Sequence, residues 1–245
     1  MNPMKDTPPQ VTPNTNFFVY IIESPSAPDL YHKRYEGEAL TKMLSLADIY
    51  SVHRLVVDST AFRASIIIGL SEAMKSSSLI PMLHISAHGN SDGLQLTNGE
   101  SISWDDLKLL IQPINDILNG NLVLCVSSCE GFGACRMAMD KGDKIPFLCL
   151  IASTEKISWA DTAIGFGTFY HLIAKGRTIR DAVTAMKVAT CDNSFQEIAG
   201  EKIKQIFINE LKKSETQEMA DKLSQLQPQP PKSLAELLRQ PHITK

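Results

Sequence analysis

The sequence predicts an α/β fold in which a mainly parallel β-sheet is covered by helices on both faces. Three observations support this prediction. Short, continuously apolar segments alternate along the chain with longer segments whose apolar residues recur at helical spacing. The apolar segments have the length of strands buried on both faces, as the strands of parallel sheets are. Residues that favour turns, mostly Pro, Gly, Asn and Ser, separate many of these segments.

The first half of the chain is predicted to supply three strands. The first of them, residues 17–22, consists only of aromatic and β-branched residues, which favour strands. A loop is predicted over 24–28, where two Pro residues interrupt the chain. The predicted strands of this half are residues 17–22, 54–57 and 79–86, and the predicted helices are residues 36–47 and 61–75.

The second half begins with a predicted hairpin, because Asn98-Gly99 stands between the short segments 93–97 and 100–103. Ser103 then caps a predicted helix that extends to about residue 118 and has acidic residues in its first turn. The remaining predicted strands are residues 122–127 and 146–152, and the remaining helices are residues 132–139, 160–174, 179–189 and 196–213.

Composition is that of an ordinary globular protein and excludes several function classes. The chain has 245 residues, of which 24 Lys and Arg against 27 Asp and Glu give a net charge of −3. This balance predicts no nucleic-acid-binding surface, which would need a basic patch. Five Cys are too few, and an odd number, for a disulfide scaffold. We expect a flexible leader over 1–16, one domain over 17–213, and a polar, partly disordered tail over 214–245.

The N-terminal segment lacks the apolar stretch of a signal peptide, and no segment approaches the roughly 20 apolar residues that span a bilayer. The sequence therefore predicts a cytoplasmic protein with no membrane partner. In that compartment the thiols are expected to stay reduced.

Two predicted strands end in residues that can carry chemistry. The strand 79–86 leads into His88-Gly89, and the strand 122–127 leads into Cys129-Glu130-Gly131. Sites in open α/β sheets lie outside the carboxyl ends of the strands. If these two strands are neighbours, His88 and Cys129 face the same crevice.

This pair suits nucleophilic catalysis. A cysteine attacks as its thiolate, and an imidazole within reach can take up the thiol proton. The helix expected after Cys129 would further favour the thiolate through its dipole. The backbone N–H groups of Gly89 and Cys129 are candidates for an oxyanion hole in acyl transfer.

Three motifs together resemble those of a known family: His88-Gly89, Ser127-Ser128-Cys129-Glu130-Gly131 and Ser158-Trp159-Ala160-Asp161. They resemble the motifs of caspase-like cysteine peptidases, and among these of the CHAT family, over roughly residues 17–190. The resemblance implies a three-layer caspase-like fold and an endopeptidase that acts on a protein or peptide substrate. It implies that His88 acts as general base and then general acid, and that Cys129 forms a thioester. It implies no metal and no organic cofactor.

The resemblance also assigns substrate-binding residues. Ser127, two residues before the nucleophile, lines the primary specificity pocket, and the segment of Ser158 and Trp159 contacts the substrate. Asp161 either favours a basic residue at the cleavage site or caps the following helix. The short segment 141–145 leaves no linker to excise, so activation would need a partner, a ligand or loop ordering. Similar small peptidases act in bacterial defence or cell death, on substrates such as gasdermins.

Alternative interpretations remain open. The domain could be a catalytically silent caspase-like module that serves interaction or regulation, or a thiol hydrolase that acts on small molecules. A zinc site built from His84, His88, Cys125 and Cys129 is conceivable, although the chain has no Cys-x-x-Cys pair. The other four cysteines are expected to be packing thiols: Cys125, Cys135, Cys149 and Cys191.

Overall fold

The computed structural model describes residues 15–225 of the chain. Its strands are β1 (Phe17–Ser24), β2 (Ser51–Leu55), β3 (Ile80–Asn90), β4 (Gly93–Gln95), β5 (Ser101–Ser103), β6 (Val123–Ser127), β7 (Cys149–Ser153) and β8 (Phe195–Ala199). The main sheet has the strand order β2-β1-β3-β6-β7-β8, and β4 and β5 extend β3 as a hairpin. The neighbours from β2 to β7 pair in parallel, and β8 runs antiparallel to β7.

Helices connect these strands. They are α1 (Ala27–Tyr31), α2 (Glu36–Leu46), α3 (Ser59–Ala64), α4 (Ser71–Ser77), α5 (Trp104–Ile117), α6 (Trp159–Ala174), α7 (Ile179–Thr190) and α8 (Gly200–Gln225). A π-helical turn, Ser65–Leu70, joins α3 to α4, and a 3₁₀ helix, Gly131–Ala138, follows β6. None of the helices within residues 15–225 combines the length and the hydropathy needed to cross a membrane.

The sheet separates two hydrophobic cores, because successive side chains of a strand point to opposite faces. Phe18 and Tyr20 of β1 face the core built with α3, the π-helical turn and α5. Val19 and Ile21 face the core built with α2, α6 and α7. Helices therefore cover both faces. The predicted α/β fold with a mainly parallel sheet is confirmed, and the three layers are consistent with a caspase-like fold.

Several predicted elements were wrong in extent or type. The predicted loop 24–28 contains the start of α1, the predicted strand 54–57 is β2 at Ser51–Leu55, and the predicted helix 132–139 is a 3₁₀ helix. The largest error concerns residues 196–213, because the first part of this predicted helix is β8. Five residues are too few to establish a period, and pairing with β7 decides their conformation.

The chain divides into two units, residues 1–205 and residues 206–245. The first unit holds the whole sheet. In the second, the structure describes the continuation of α8, which passes residue 213, where the tail was predicted to begin. Most of the predicted leader, and the tail beyond Gln225, lie outside the described residues.

Candidate active site

The two strand ends singled out by the sequence lie side by side. β3 and β6 are parallel neighbours, and their register pairs Ser86 with Ser127. His88 follows Ser86 by two residues and Cys129 follows Ser127 by two, so both residues reach the same edge of the sheet. The prediction that these two strands are neighbours is confirmed.

A cavity of about 190 Å³ lies at this edge. Its lining consists of Ala87, His88, Ser128, Cys129, Ile157, Ser158 and Trp159. A second cavity of about 450 Å³ lies along the hairpin, and His88 lines both. The lining of the second cavity is mainly polar and includes Gln95, Ser101 and Asp106.

Cys129 is half-buried at the end of β6, and a tight turn holds it there. Glu130 adopts a left-handed backbone conformation with φ of 54°, and the 3₁₀ helix begins at the next residue. Among the described residues, the thiol donates its hydrogen bond to the carbonyl oxygen of Ile157, at 3.9 Å. The N–H of Glu130 donates to the carbonyl oxygen of Glu155, so the segment after β7 is hydrogen-bonded to the turn that follows Cys129.

The other four cysteines differ from Cys129 in their surroundings. Burial raises the pKa of the Cys125 and Cys135 thiols to about 12 and that of Cys149 to about 11, which keeps them protonated and unreactive. These three are packing thiols, as predicted. The prediction for Cys191 was wrong, because this residue is exposed at the end of α7 with φ of 54°.

The His88 ring is held between an acid and an aromatic side chain. Its Nε2 lies 3.4 Å from Oδ2 of Asp29. The Trp159 ring meets it edge to face, with the ring centroids 5.2 Å apart. Because Nε2 faces Asp29, Nδ1 is the other ring nitrogen available for a hydrogen bond.

Asp29 is a site residue that the sequence reasoning missed. It lies on α1 and is buried, its Oδ2 accepts a hydrogen bond from Ser26 Oγ at 2.6 Å, and its Oδ1 forms an ion pair with Arg34 Nη2 at 2.9 Å. Burial alone would raise the pKa of its carboxyl group. Hydrogen bonds from Ser26 and His88, with the Arg34 charge, outweigh burial and hold the pKa below its ordinary value. Asp29 is therefore a carboxylate beside the imidazole.

A sequence signal for Asp29 exists. Ser26 and Asp29 form a Ser-x-x-Asp capping pattern, in which Ser26 Oγ accepts from the Asp29 N–H at 3.2 Å. Pro28 stands in the first turn of the helix, where Pro is favoured. These two features mark a helix start directly after a buried strand, which is where functional side chains gather.

The glycines of both motifs permit close packing around Ser128. A Cβ atom on Gly89 would lie 3.0 Å from Ser128 Oγ, and one on Gly131 would lie 2.8 Å from the same atom. Side chains at these positions would displace the turn that carries Cys129. The glycines thus have a steric role beside the predicted oxyanion hole, which stays a prediction for the N–H groups of Gly89 and Cys129.

The residues assigned to substrate binding do not all lie in the same part of the structure. Ser158 and Trp159 line the smaller cavity, whereas Ser127 is buried beneath it and donates to Oε2 of Glu36 at 2.7 Å. Asp161 lies outside the cavity lining, and its Oδ2 accepts from Ser158 Oγ at 2.6 Å. Of the two roles left open for Asp161, capping α6 is the one that its contacts support.

The four residues considered as zinc ligands make other contacts in the structure. His84 and Cys125 are register partners inside the sheet, and His84 Nδ1 lies 2.9 Å from the Tyr170 hydroxyl. Burial lowers the pKa of His84 to about 3, so its ring is neutral. Within residues 15–225, no group of three or more His, Cys, Asp or Glu side chains is placed to hold a metal ion.

Comparison with protein-family models and with curated proteins finds no match for this chain. The site brings together the half-buried thiol of Cys129, the imidazole of His88, and the Asp29 carboxylate beside that imidazole.

Proposed function

We propose that this chain is a cysteine endopeptidase of the caspase-like class, with the CHAT family as its nearest resemblance. One observation carries the proposal: His88 and Cys129 line one cavity, while a buried carboxylate from Asp29 holds the far side of the His88 ring. A carboxylate that contacts an imidazole, with a thiol on the other side of that imidazole, can activate the thiol for acyl transfer.

In the proposed reaction, His88 takes the thiol proton and Cys129 Sγ bonds to the carbonyl carbon of the scissile peptide. The carbonyl oxygen becomes an oxyanion, which the N–H groups of Gly89 and Cys129 stabilise. His88 then gives its proton to the leaving amine as the C–N bond breaks, which leaves a thioester. Water, deprotonated by His88, attacks the thioester and releases the acid, and the thiol regains its proton.

The same proposal places the enzyme in the cytoplasm with a protein substrate, and in a bacterial defence or cell-death pathway in which a gasdermin-type effector is a candidate substrate. Fold-level resemblance is the support for this role. The neutral Ser127 and the capping role of Asp161 give no support for a preference for Asp, Lys or Arg at the cleavage site.

One contact favours a second candidate, the catalytically silent module. The Cys129 thiol donates to the Ile157 carbonyl oxygen, and the segment after β7 must release it before the thiol can attack. In the silent module this contact would persist in every state. In the enzyme, a substrate, partner or ligand would displace it.

The two candidates differ in the reactivity of Cys129 toward a peptide. We would profile a peptide library carrying an electrophilic acyloxymethyl ketone, with the wild-type chain and with Cys129→Ala, His88→Ala and Cys191→Ser. If the chain is an enzyme, the probe should label the wild type. Cys129→Ala should abolish this labelling, His88→Ala should strongly reduce it, and Cys191→Ser should leave it unchanged. Labelling that depends on Cys191, or none even with added cell lysate, would favour the module.

A further inference from the structure

Glu36, at the first turn of α2, carries a buried carboxyl group that joins the two strands of the site. Its Oε2 accepts hydrogen bonds from Ser86 Oγ at 2.5 Å and from Ser127 Oγ at 2.7 Å. The side chain is fully buried, 50 residues before Ser86 and 91 before Ser127 in the chain. One oxygen atom therefore links β3 to β6.

The two serines hold equivalent positions. They are register partners at the end of the pairing between β3 and β6, and each stands two residues before a residue of the proposed dyad, His88 or Cys129. Beyond this pair the two strands separate, because β3 turns into its hairpin with β4 and β6 ends. The link through Glu36 thus acts at the last point where the two strands are in register.

A second buried acid anchors the helix that carries Glu36. Glu23 of β1 accepts from the Gly37 N–H at 3.0 Å and lies 2.8 Å from His53 Nε2. A Cβ atom on Gly37 would lie 2.8 Å from the Glu23 carboxylate, so the close approach requires glycine. The start of α2, and with it Glu36, is therefore tied to β1 through the Gly37 N–H, and neither Glu23 nor His53 lines the smaller cavity.

Stability alone does not account for Glu36. Removing a carboxyl group from water is costly, and its other oxygen, Oε1, has no hydrogen-bond partner among the described residues. Oε1 lies 3.8 Å from His84 Nε2, which also has no hydrogen-bond partner among the described residues. Replacing such buried polar groups by apolar ones is often neutral or stabilising. The position of Glu36 points to a function.

We propose that Glu36 is a positioning residue that sets the separation of His88 and Cys129 through the hydroxyl groups of Ser86 and Ser127. The inference depends on the proposed function, because it assigns a role to Glu36 in that same dyad. It predicts that the two serines and Glu36 act as one unit, so that removing either side of the link has the same consequence as removing both.

The test compares four variants of the full chain: Glu36→Gln, Glu36→Leu, the double variant Ser86→Ala with Ser127→Ala, and the triple variant that adds Glu36→Leu. The readout is the rate of alkylation of Cys129 by iodoacetamide, followed by peptide mass spectrometry, relative to the exposed Cys191 in the same molecules. Circular dichroism and the urea midpoint report whether each variant is folded.

We expect Glu36→Leu and the double serine variant each to slow the alkylation of Cys129 on the order of tenfold. Glu36→Gln, which keeps an acceptor oxygen, should stay within about threefold of the wild type. The triple variant should be no slower than the double one. If Glu36→Leu does not fold, the single variants Ser86→Ala and Ser127→Ala replace it, and each should slow the alkylation of Cys129 as much as the double variant does, because the link needs both hydroxyl groups.

Two results would overturn the inference: an unchanged rate in the double serine variant, or a triple variant whose loss is the product of the separate losses. A failure of the proposed function looks different. In that case wild-type Cys129 is alkylated no faster than Cys191 even with added cell lysate, and His88→Ala does not change its rate. That outcome would overturn both proposals. If Cys129 is alkylated faster than Cys191 but its rate is the same in the variants of Glu36, Ser86 and Ser127, only the present inference is overturned.

Discussion

Asp29 Oδ2 and His88 Nε2 lie 3.4 Å apart, although 59 residues separate the two in the chain. The contact joins the short helix after β1 to the end of β3, and these two strands are parallel neighbours. Asp29 also receives Ser26 Oγ and Arg34 Nη2, so its position is fixed from three directions. In the proposed peptidase, a carboxylate held in this way would fix the orientation of the His88 ring and leave Nδ1 for the thiol.

Replacement of Asp29 by Asn should lower kcat of the proposed peptidase about 10- to 100-fold, with KM little changed. The amide is neutral and can turn its NH2 group toward His88, so the ring loses its fixed acceptor. The matched control is Asp161→Asn, because Asp161 makes the same capping contact with Ser158, at 2.6 Å, but lies away from His88. Equal losses in the two variants would assign the effect to helix capping.

The sequence was sufficient to predict the sheet, the neighbouring strand ends and the pair His88 and Cys129. Local patterns carry this information, since buried strands and their polar ends are visible in a short window. The hydrogen bonds that Glu36 accepts could not be predicted from the sequence, because a buried Glu in the first turn of a helix has the same sequence pattern as an exposed one. The strand β8 was missed because no local sequence period marks it; its pairing with β7 defines it.

The five thiols should separate cleanly by reactivity. In the native protein at pH 8, iodoacetamide should modify Cys129 and Cys191, while Cys125, Cys135 and Cys149 stay protected, because burial both blocks access and raises their pKa values. Peptide mapping after a short reaction, with and without urea, measures this. Modification of Cys125 as fast as Cys191 in the native state would contradict the buried strand arrangement.

Glu36 and His84 should make the free energy of unfolding change with pH in opposite directions. Burial raises the pKa of Glu36 to about 7, against hydrogen bonds from Ser127 and Ser86 that lower it. The folded chain then holds a proton that the unfolded chain releases near pH 4.5, so the free energy of unfolding falls as the pH rises from 4.5 to 7. For His84, whose pKa is lowered to about 3, stability is lost as the pH falls from 6.5 toward 3.

Urea unfolding of Glu36→Gln at pH 4.5 and pH 7.5 tests the first of these dependences. Between these two pH values, the stability of the variant should rise relative to the wild type by roughly 2–3 kcal/mol. The exposed Glu38→Gln on the same helix is the control and should leave the difference almost unchanged. A Glu36→Gln variant that follows the wild type at both pH values would show that Glu36 stays ionised when buried.

Trp159 has two possible roles, and kinetics can separate them. The resemblance assigns it to substrate contact, whereas its ring packs edge to face on His88 and its indole N–H is one of the groups that lower the pKa of Asp29. We expect Trp159→Leu to lower kcat roughly tenfold while KM changes less than about twofold, because the imidazole loses its support. Trp159→Phe keeps an aromatic edge against His88 and should recover most of the rate. A rise in KM with kcat intact would instead make Trp159 a platform for the substrate.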